Sequence, residues 1–347
     1  MIDLLTKQGE INMPKFSIVT PSYNSWKYME SYFESLEAQS FKDFEVVIVD
    51  DCSSDETYEQ ILKYSEQSSL NIRLVKNKNN SGPGYSRNRG IKLAKGEWLT
   101  FVDSDDSIDP QLLSIVNDIF ESNKRAAVPI ECIVYDYNTV SSQKTSKASS
   151  VYGSHHGGIL SVNEAISDVR NHTFGKFYNL SVIKEKNIIF PSIKRCEDVA
   201  FTCQAIDACC MNGKEQIGLV YYLKNALYNY YQRSSSLSND KSLDSRDMVC
   251  AYRVINYKLG KKYPEELCEK SVSDLLYGGV LMKCKSGRNI REIKRYIASY
   301  EKRYPNWYKC KMVHKLGKAK LLYLMCIRKR KYRELKLLAT IHSKLVG

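Results

Sequence analysis

The sequence predicts an α/β fold with a helical C-terminal extension, and three observations predict it. Short apolar runs near residues 16–20, 44–49, 72–75 and 98–102 alternate with stretches of helical spacing. Two of those runs end in carboxylates, Asp50-Asp51 and then Asp103, Asp105, Asp106 and Asp109. From about residue 241 onward the apolar spacing is helical throughout.

The chain has 347 residues, room for one α/β domain and an extension, and 43% apolar content supports a sizeable core. A net charge of +13 calls for an anionic partner: nucleic acid, lipid headgroups or a phosphorylated substrate. The 25 tyrosines suit half-wet surfaces where a ring packs and a hydroxyl meets ligand. The 11 cysteines are odd in number and show no paired zinc spacing, so free thiols in a reducing cytosol are expected. Residues 1–14 read as a polar leader without a secretory signal, and no run of about 18 apolar residues is long enough to cross a membrane.

KFSIVTPSYN (15–24) reads as a strand that Pro21 stops, with Tyr23 and Asn24 in the following loop. Residues 26–39 carry Tyr28, Tyr32, Phe33 and Leu36 at helical spacing. The turn between them lacks the glycines of a dinucleotide site or a P-loop. FEVVIVDD is a near-continuous apolar run, as in a buried parallel strand, and Ser53, Ser54 and Asp55 offer caps to the next helix. After a third strand at 72–77, Gly82, Pro83 and Gly84 read as a tight loop before a short helix at 86–94. Free loop amides followed by Arg87 and Arg89 suit phosphate, or else an ordinary turn and a solvated charged face.

WLTFVDSDDSIDP (98–110) is a strand that delivers carboxylates at its C-terminal end, where ligands bind in open α/β sheets. Oxygen ligands at this spacing suit Mn²⁺ or Mg²⁺, which share their shell with phosphate oxygens and water. The plainer reading is a turn whose acids cap the next helix. Downstream, Glu197 and Asp198 open a helix running through Phe201 and Ala205, where acids also favour the helix dipole. His155 and His156 sit in a Gly-rich stretch (152–158), and 141–150 is polar; both read as surface loops.

Residues 15–240 resemble the family 2 glycosyltransferases. The motifs that carry the resemblance are SIVTPSYN, VVIVDDCSSDET, NSGPGYSRNRG, FVDSDD, GKFYNLSVIKEKNIIFP, CEDVAFT and ALYNYYQRSSSLS, in that order. The resemblance implies a GT-A fold: a Rossmann-like mixed sheet flanked by helices, with a nucleotide-binding half at about 15–125 and an acceptor half at about 126–240. It implies inverting transfer of a sugar from a nucleotide-sugar donor, UDP-linked, to a glycan or lipid-linked glycan. Pro21 and Tyr23 would then flank the base and Asp51 would accept from the uracil N3–H. Gly82 and Arg87 would serve the phosphates and Asp103 the nucleotide or metal side. Asp105 would hold the divalent ion, with Asp106 and Asp109 left as turn and cap. Asp198 would be the base, with Glu197 second to it, and Arg233 would lie near the diphosphate. Lys176, in the acceptor-side motif, reads either as a substrate-positioning lysine or as a solvated one.

Two other readings stand beside this one. A nucleotidyltransferase making sugar nucleotides would use a similar sheet, but places a Gly- and Arg-rich loop where TPSYN stands here. A non-catalytic sugar-nucleotide-binding protein would not need the acids at positions 51, 103, 105 and 198.

In the extension (241–347), helices are expected at 248–257, 267–282 and 290–300. Residues 309–347 alternate basic clusters with apolar sets, a pattern suited to an anionic membrane surface, or to a helix packed on the domain with a solvated basic face. No nucleic-acid-binding module accompanies the charge. The expected location is the cytoplasm, including a peripheral site on the inner face of the plasma membrane.

Overall fold

In the computed structural model, which describes residues 13–140, 147–149, 156–232 and 246–346, the first four apolar runs are parallel strands. They are β1 (Phe16–Ser22), β2 (Phe44–Asp50), β3 (Ile72–Lys76) and β4 (Trp98–Phe101). Between them run α1 (Glu30–Glu37), α2 (Thr57–Gln67) and α3 (Pro83–Leu93). The first half closes with β5 (Ser107–Ile108) and α4 (Leu112–Asn123).

The second half contributes β6 (Ile130–Val140), β7 (Lys147–Ser149), β8 (Gly158–Leu160), α5 (Val162–Asp168), β9 (Lys176–Asn179), α6 (Leu180–Glu185) and α7 (Glu197–Cys210). A small hairpin, β10 (Met211–Asn212) with β11 (Glu215–Gln216), precedes β12 (Leu219–Tyr231). One mixed sheet runs β3-β2-β1-β4-β9-β6-β12-β5, with β7 added on β6 and β8 on β12. The parallel half meets the rest through an antiparallel β4–β9 pair. This is the GT-A-like architecture: a mixed sheet flanked by helices, with a C-terminal helical region.

Several local expectations are corrected. Pro21 does not stop the first strand, because β1 keeps its register with β2 through Ser22↔Asp50. Its missing N–H faces the β4 side, where pairing has ended at Val19↔Phe101, so no ladder bond is lost. The 26–39 helix begins as a 3₁₀ turn (Trp26–Tyr28), since Thr57 Oγ1 accepts from the amides of Ser25 and Trp26 and holds the tight geometry. Pro83 and Gly84 form the first turn of α3, not a loop, because proline suits a first helical position that donates no hydrogen bond. Part of the polar 141–150 stretch is strand β7, paired with β6 at Thr139↔Lys147 through Tyr137↔Ser149.

The extension is helical as expected: α8 (Arg246–Leu259), α9 (Pro264–Ser271), a π-helical stretch (Val272–Gly279), α10 (Val280–Lys285), α11 (Ile290–Arg303), α12 (Lys311–Lys315), α13 (Lys318–Arg328) and α14 (Tyr332–Val346). It is bound to the segment before β9 by buried polar contacts. Lys270 donates to the Val169 carbonyl at 2.6 Å, and Asp274 accepts from Asn171 and Tyr252 at 2.8 Å each. Helices α13 and α14 bury Leu324, Ile327 and Leu335 but leave Leu322, Met325, Leu337 and Ile341 exposed among basic residues. Among the described residues no helix is long and apolar enough to cross a membrane.

Candidate active site

Three neighbouring parallel strands, β2, β1 and β4, end side by side. Their C-terminal ends carry Asp50-Asp51, Tyr23 and Asp103 into one region. The backbone is unusual there. Asn24, Cys52 and Cys196 hold left-handed dihedrals with φ of 48°, 63° and 63°, a conformation non-glycine residues rarely adopt and one that clusters at functional sites. Nothing in the residue types signalled it for the two cysteines.

Asp51 is buried and organises the loop before α3. Its carboxylate accepts from Asn77 Nδ2 at 2.7 Å, from the Gly82 amide at 2.7 Å and from the Ser81 amide at 3.0 Å. Gly82 itself is left-handed at φ 87°, which lets its amide turn toward Asp51. Arg89, read from sequence as a phosphate ligand, donates to the Lys76 carbonyl and to Asn77 Oδ1, and so fixes the asparagine that fixes Asp51. Tyr23 stays exposed at the rim, and Pro21 is half-buried beside it.

Arg87 is the centre of the charge arrangement. It is buried, and its guanidinium bridges Asp103 at 2.8 Å and Glu197 at 3.2 Å, with its Cζ 5.6 Å from the Phe190 ring centre. Burial alone would favour losing the charge, but the two carboxylates outweigh it and hold the group cationic. One residue of α3 thus joins the β4 acid to the first acid of α7. The approach needs Gly84, where a β-carbon would stand 2.9 Å from Glu197 Cγ.

Asp198 lies next to this pair. It is densely surrounded yet keeps part of its surface open, and burial, then the neighbouring Glu197, push its carboxyl up to about 7. Burial likewise raises the Glu197 carboxyl, with Arg87 opposing.

The loop after β4 is held by tyrosines of β12 that the sequence reading missed. The Asp103 amide donates to the Tyr228 hydroxyl at 3.2 Å, and that hydroxyl donates to Asp106 at 2.6 Å. The Tyr231 amide donates to the other Asp106 oxygen at 2.9 Å. Asp106 closes the turn, its amide donating to the Asp103 carbonyl at 3.1 Å, and is a buried anchor besides; burial beside Asp103 and Asp105 raises its carboxyl well above the usual range. Asp109 does hold a turn, accepting from the Gln111 amide. Phe174 stacks on Tyr228 at 4.3 Å and on His172 at 4.7 Å, which extends the anchor to the segment before β9. An aromatic followed by an asparagine and two more aromatics in β12 was the available signal.

Lys176 is not solvated. It is fully buried, donates to the carbonyls of His172 and Phe174 at 2.6 and 3.2 Å, and is lowered to about 7 by burial. Arg233 and His155 lie outside the described residues, while His156 is exposed. Asp105 is half-buried on the loop between β4 and β5. Among the described residues no three His, Cys, Asp or Glu side chains are grouped to hold a metal ion. Asp103 gives one oxygen to Arg87 and Asp106 both of its oxygens to the tyrosines, so a divalent ion held at Asp105 would need further oxygens from water or a ligand.

Comparison with known proteins agrees with this geometry. The family model described as Glycosyl transferase family 2 matches residues 17–185. The poly(ribitol-phosphate) beta-N-acetylglucosaminyltransferase TarS of Staphylococcus aureus is 33% identical over 196 residues, which cover 56% of this chain and 32% of that protein's length. The crystal structure of S. aureus TarS 1-349 in complex with UDP-GlcNAc superposes with a TM-score of 0.70 at 22% identity, covering 95% of this chain and 92% of the other. The mannosyltransferase PcManGT of Pyrobaculum calidifontis, in complex with GDP-Man and Mn²⁺, gives a TM-score of 0.53 at 13% identity, covering 95% and 86%.

Proposed function

Because the chain belongs to glycosyltransferase family 2 through residues 17–185, we propose that it transfers a sugar from a UDP-sugar to a glycan or lipid-linked glycan acceptor, with inversion, and that Asp198 is the general base. The observation that carries this reading is the placement of Asp198 at the start of α7, next to the Glu197 that Arg87 joins to Asp103 at the end of β4; burial and Glu197 push its carboxyl up to about 7. A base works best when its pKa lies near the working pH.

The acceptor hydroxyl gives its proton to Asp198 as it attacks the anomeric carbon, and a single displacement inverts that centre. Asp51 would accept the uracil imide N–H by taking over part of the Ser81 amide's place, since that amide is shared between both carboxylate oxygens at 3.0 and 3.1 Å beside the Asn77 and Gly82 donors. Tyr23, exposed at the strand ends, would flank the base. Asp103 and Glu197 are neutralised in part by Arg87, which lowers the repulsion a diphosphate would meet. Asp105 is the residue that would hold a divalent ion, which when bound supplies Lewis-acid stabilisation of the leaving diphosphate. The UDP-GlcNAc and Mn²⁺ of the two superposed structures support a UDP donor and a divalent ion.

A screen of nucleotide sugars by thermal shift, with and without Mn²⁺, identifies the donor. Asp198→Asn then keeps that donor shift and loses transfer by at least about 100-fold, the lower range for general-base catalysis. Full transfer in this variant would remove Asp198 from the role, and release of pyrophosphate from a nucleoside triphosphate and a sugar phosphate would favour a nucleotidyltransferase instead.

The exposed Leu322, Met325, Leu337 and Ile341, with Lys318, Lys320, Lys329 and Arg333 around them, fit a peripheral site on an anionic lipid surface. Such a site would hold the protein at the surface where a lipid-linked acceptor resides. Co-flotation with anionic but not neutral vesicles, lost in Leu322→Glu/Leu337→Glu, is the expected result; no flotation with either would leave the basic face merely solvated.

A further inference from the structure

Outside the active site, two thiols face each other across the C-terminal helices. Cys268 on α9 and Cys310 just ahead of α12 place their sulfurs 2.8 Å apart, although 42 residues separate them in the chain. Both residues are half-buried, so small solutes reach them. A disulfide bond is about 2.0 Å long, so only about 0.8 Å of sulfur movement separates this contact from a bond.

The two thiols are also chemically unlike. The hydrogen bond between the sulfurs holds one thiol of the pair low and pushes the other up, against partial burial and the charges of Glu265 and Glu269. Buried Cys203 and Cys209, by contrast, are simply raised by burial. A hydrogen bond between the two sulfurs favours the thiolate of one of them, taken in the exchange as Cys310, with the second thiol in reach.

We propose that Cys268 and Cys310 are a redox modification site, a dithiol that closes to an intramolecular disulfide in exchange with a low-molecular-weight disulfide. The Cys310 thiolate attacks one sulfur of the small disulfide, breaks its S–S bond and expels the first small thiolate. Cys268 gives its proton to solvent and attacks the Cys310 sulfur, breaking the mixed disulfide and expelling the second. Two electrons pass from the protein dithiol to the small disulfide, and the two protons end on the two released thiols.

The bond would act on more than its own surroundings. Lys270 and Asp274, directly after Cys268, hold Val169 and Asn171 of the segment leading to β9. Closing the pair ties that brace to the start of α12. It also closes a loop in the unfolded chain, so the oxidised protein should melt a few degrees higher. This inference is independent of the proposed transfer activity.

The test uses the full chain equilibrated with excess oxidised glutathione or with dithiothreitol, followed by alkylation, proteolysis and mass spectrometry. The expected product is a peptide pair linking Cys268 to Cys310 and lighter by two hydrogens, reversed by dithiothreitol. In Cys268→Ser the glutathione adduct should persist on Cys310, and the rise in melting temperature should vanish. Alkylation of both wild-type thiols to the same extent as Cys250 under the oxidant would overturn the proposal. So would linkage of Cys310 to other cysteines in equal yield.

Discussion

Removing the Arg87 guanidinium tests whether the charge arrangement was read correctly. Arg87→Met keeps the volume and helix propensity of α3 but leaves Glu197 buried without its cation. Breaking a buried ion pair from one side costs about 3–5 kcal/mol. Asp103 keeps 27% of its side chain exposed and can rehydrate, whereas Glu197 keeps 8%, so the lower end, about 3 kcal/mol, is expected. With an unfolding entropy of about 2.1 cal/mol/K per residue, that loss lowers the melting temperature by about 4 °C. The pH dependence is the sharper test. Without Arg87 the Glu197 carboxyl, already raised by burial, rises further. A group whose folded value is raised contributes stability that is lost as pH rises through that value, so the gap from wild type should widen with pH and narrow in acid. Arg87→Met/Glu197→Gln should recover much of the loss, while Arg87→Lys should recover little, because one ammonium does not span both carboxylates. Differential scanning fluorimetry between about pH 5.5 and 8.5 measures all four proteins. A gap below about 1 °C, or one that does not change with pH, would refute the central role of the ion pair.

Three further outcomes follow from the site. Turnover under saturating substrates should rise with pH through about 7 as Asp198 loses its proton, and a flat profile in steady-state assays from acid to neutral pH would argue against it. Asp105→Ala should weaken UDP binding in the presence of Mn²⁺ by about tenfold or more while leaving metal-free UDP binding unchanged, as calorimetry would show; equal affinity in Mn²⁺ would remove Asp105 from the metal role. Tyr228→Phe should cost about 1–2 kcal/mol by unfolding titration, because Asp106 loses a donor and the Asp103 amide an acceptor, and it should raise the donor KM more than it lowers kcat; an unchanged KM would make Tyr228 purely structural.

The parallel half of the fold was legible because its signals are local. FEVVIVD is apolar at every position, as a strand buried on both faces must be, and the acids that end β2 and β4 stand in the sequence where they stand in the sheet. Asp51 stood out in the same way, at the end of an apolar run, whereas Asp198 on its own reads as a first-turn acid and only the family resemblance singles it out. What was not legible depends on partners far away in the chain. Arg87 looks like any basic residue at a helix start until α7, 110 residues on, brings Glu197 to it. Asp106 looks like a turn acid until Tyr228 and Tyr231 cover it from β12. Lys176 looks solvated until the turn at 172–174 presents two carbonyls to its ammonium. In each case the residue type is ordinary and only the long-range contact gives it a role.

The two halves of the site are supported by different means, and this bears on how it can vary. Asp51, Tyr23 and Asp103 ride on the ends of a parallel ladder whose strands are buried on both faces, so their spacing is set by sheet geometry. The segment 169–174 has no such ladder. It is held by Lys270 and Asp274 from the extension, by Lys176 from beneath, and by the His172–Phe174–Tyr228 stack. Arg87 then joins the halves through Asp103 and Glu197. A change in the extension therefore reaches segment 169–174 through Val169 and Asn171 first, and the β4 loop only at one remove, through the Phe174–Tyr228 stack. On the proposed roles Asp274→Asn, which weakens the bonds to Asn171 and Tyr252, changes the acceptor KM more than the donor KM in steady-state assays; a larger change in the donor KM would refute this order.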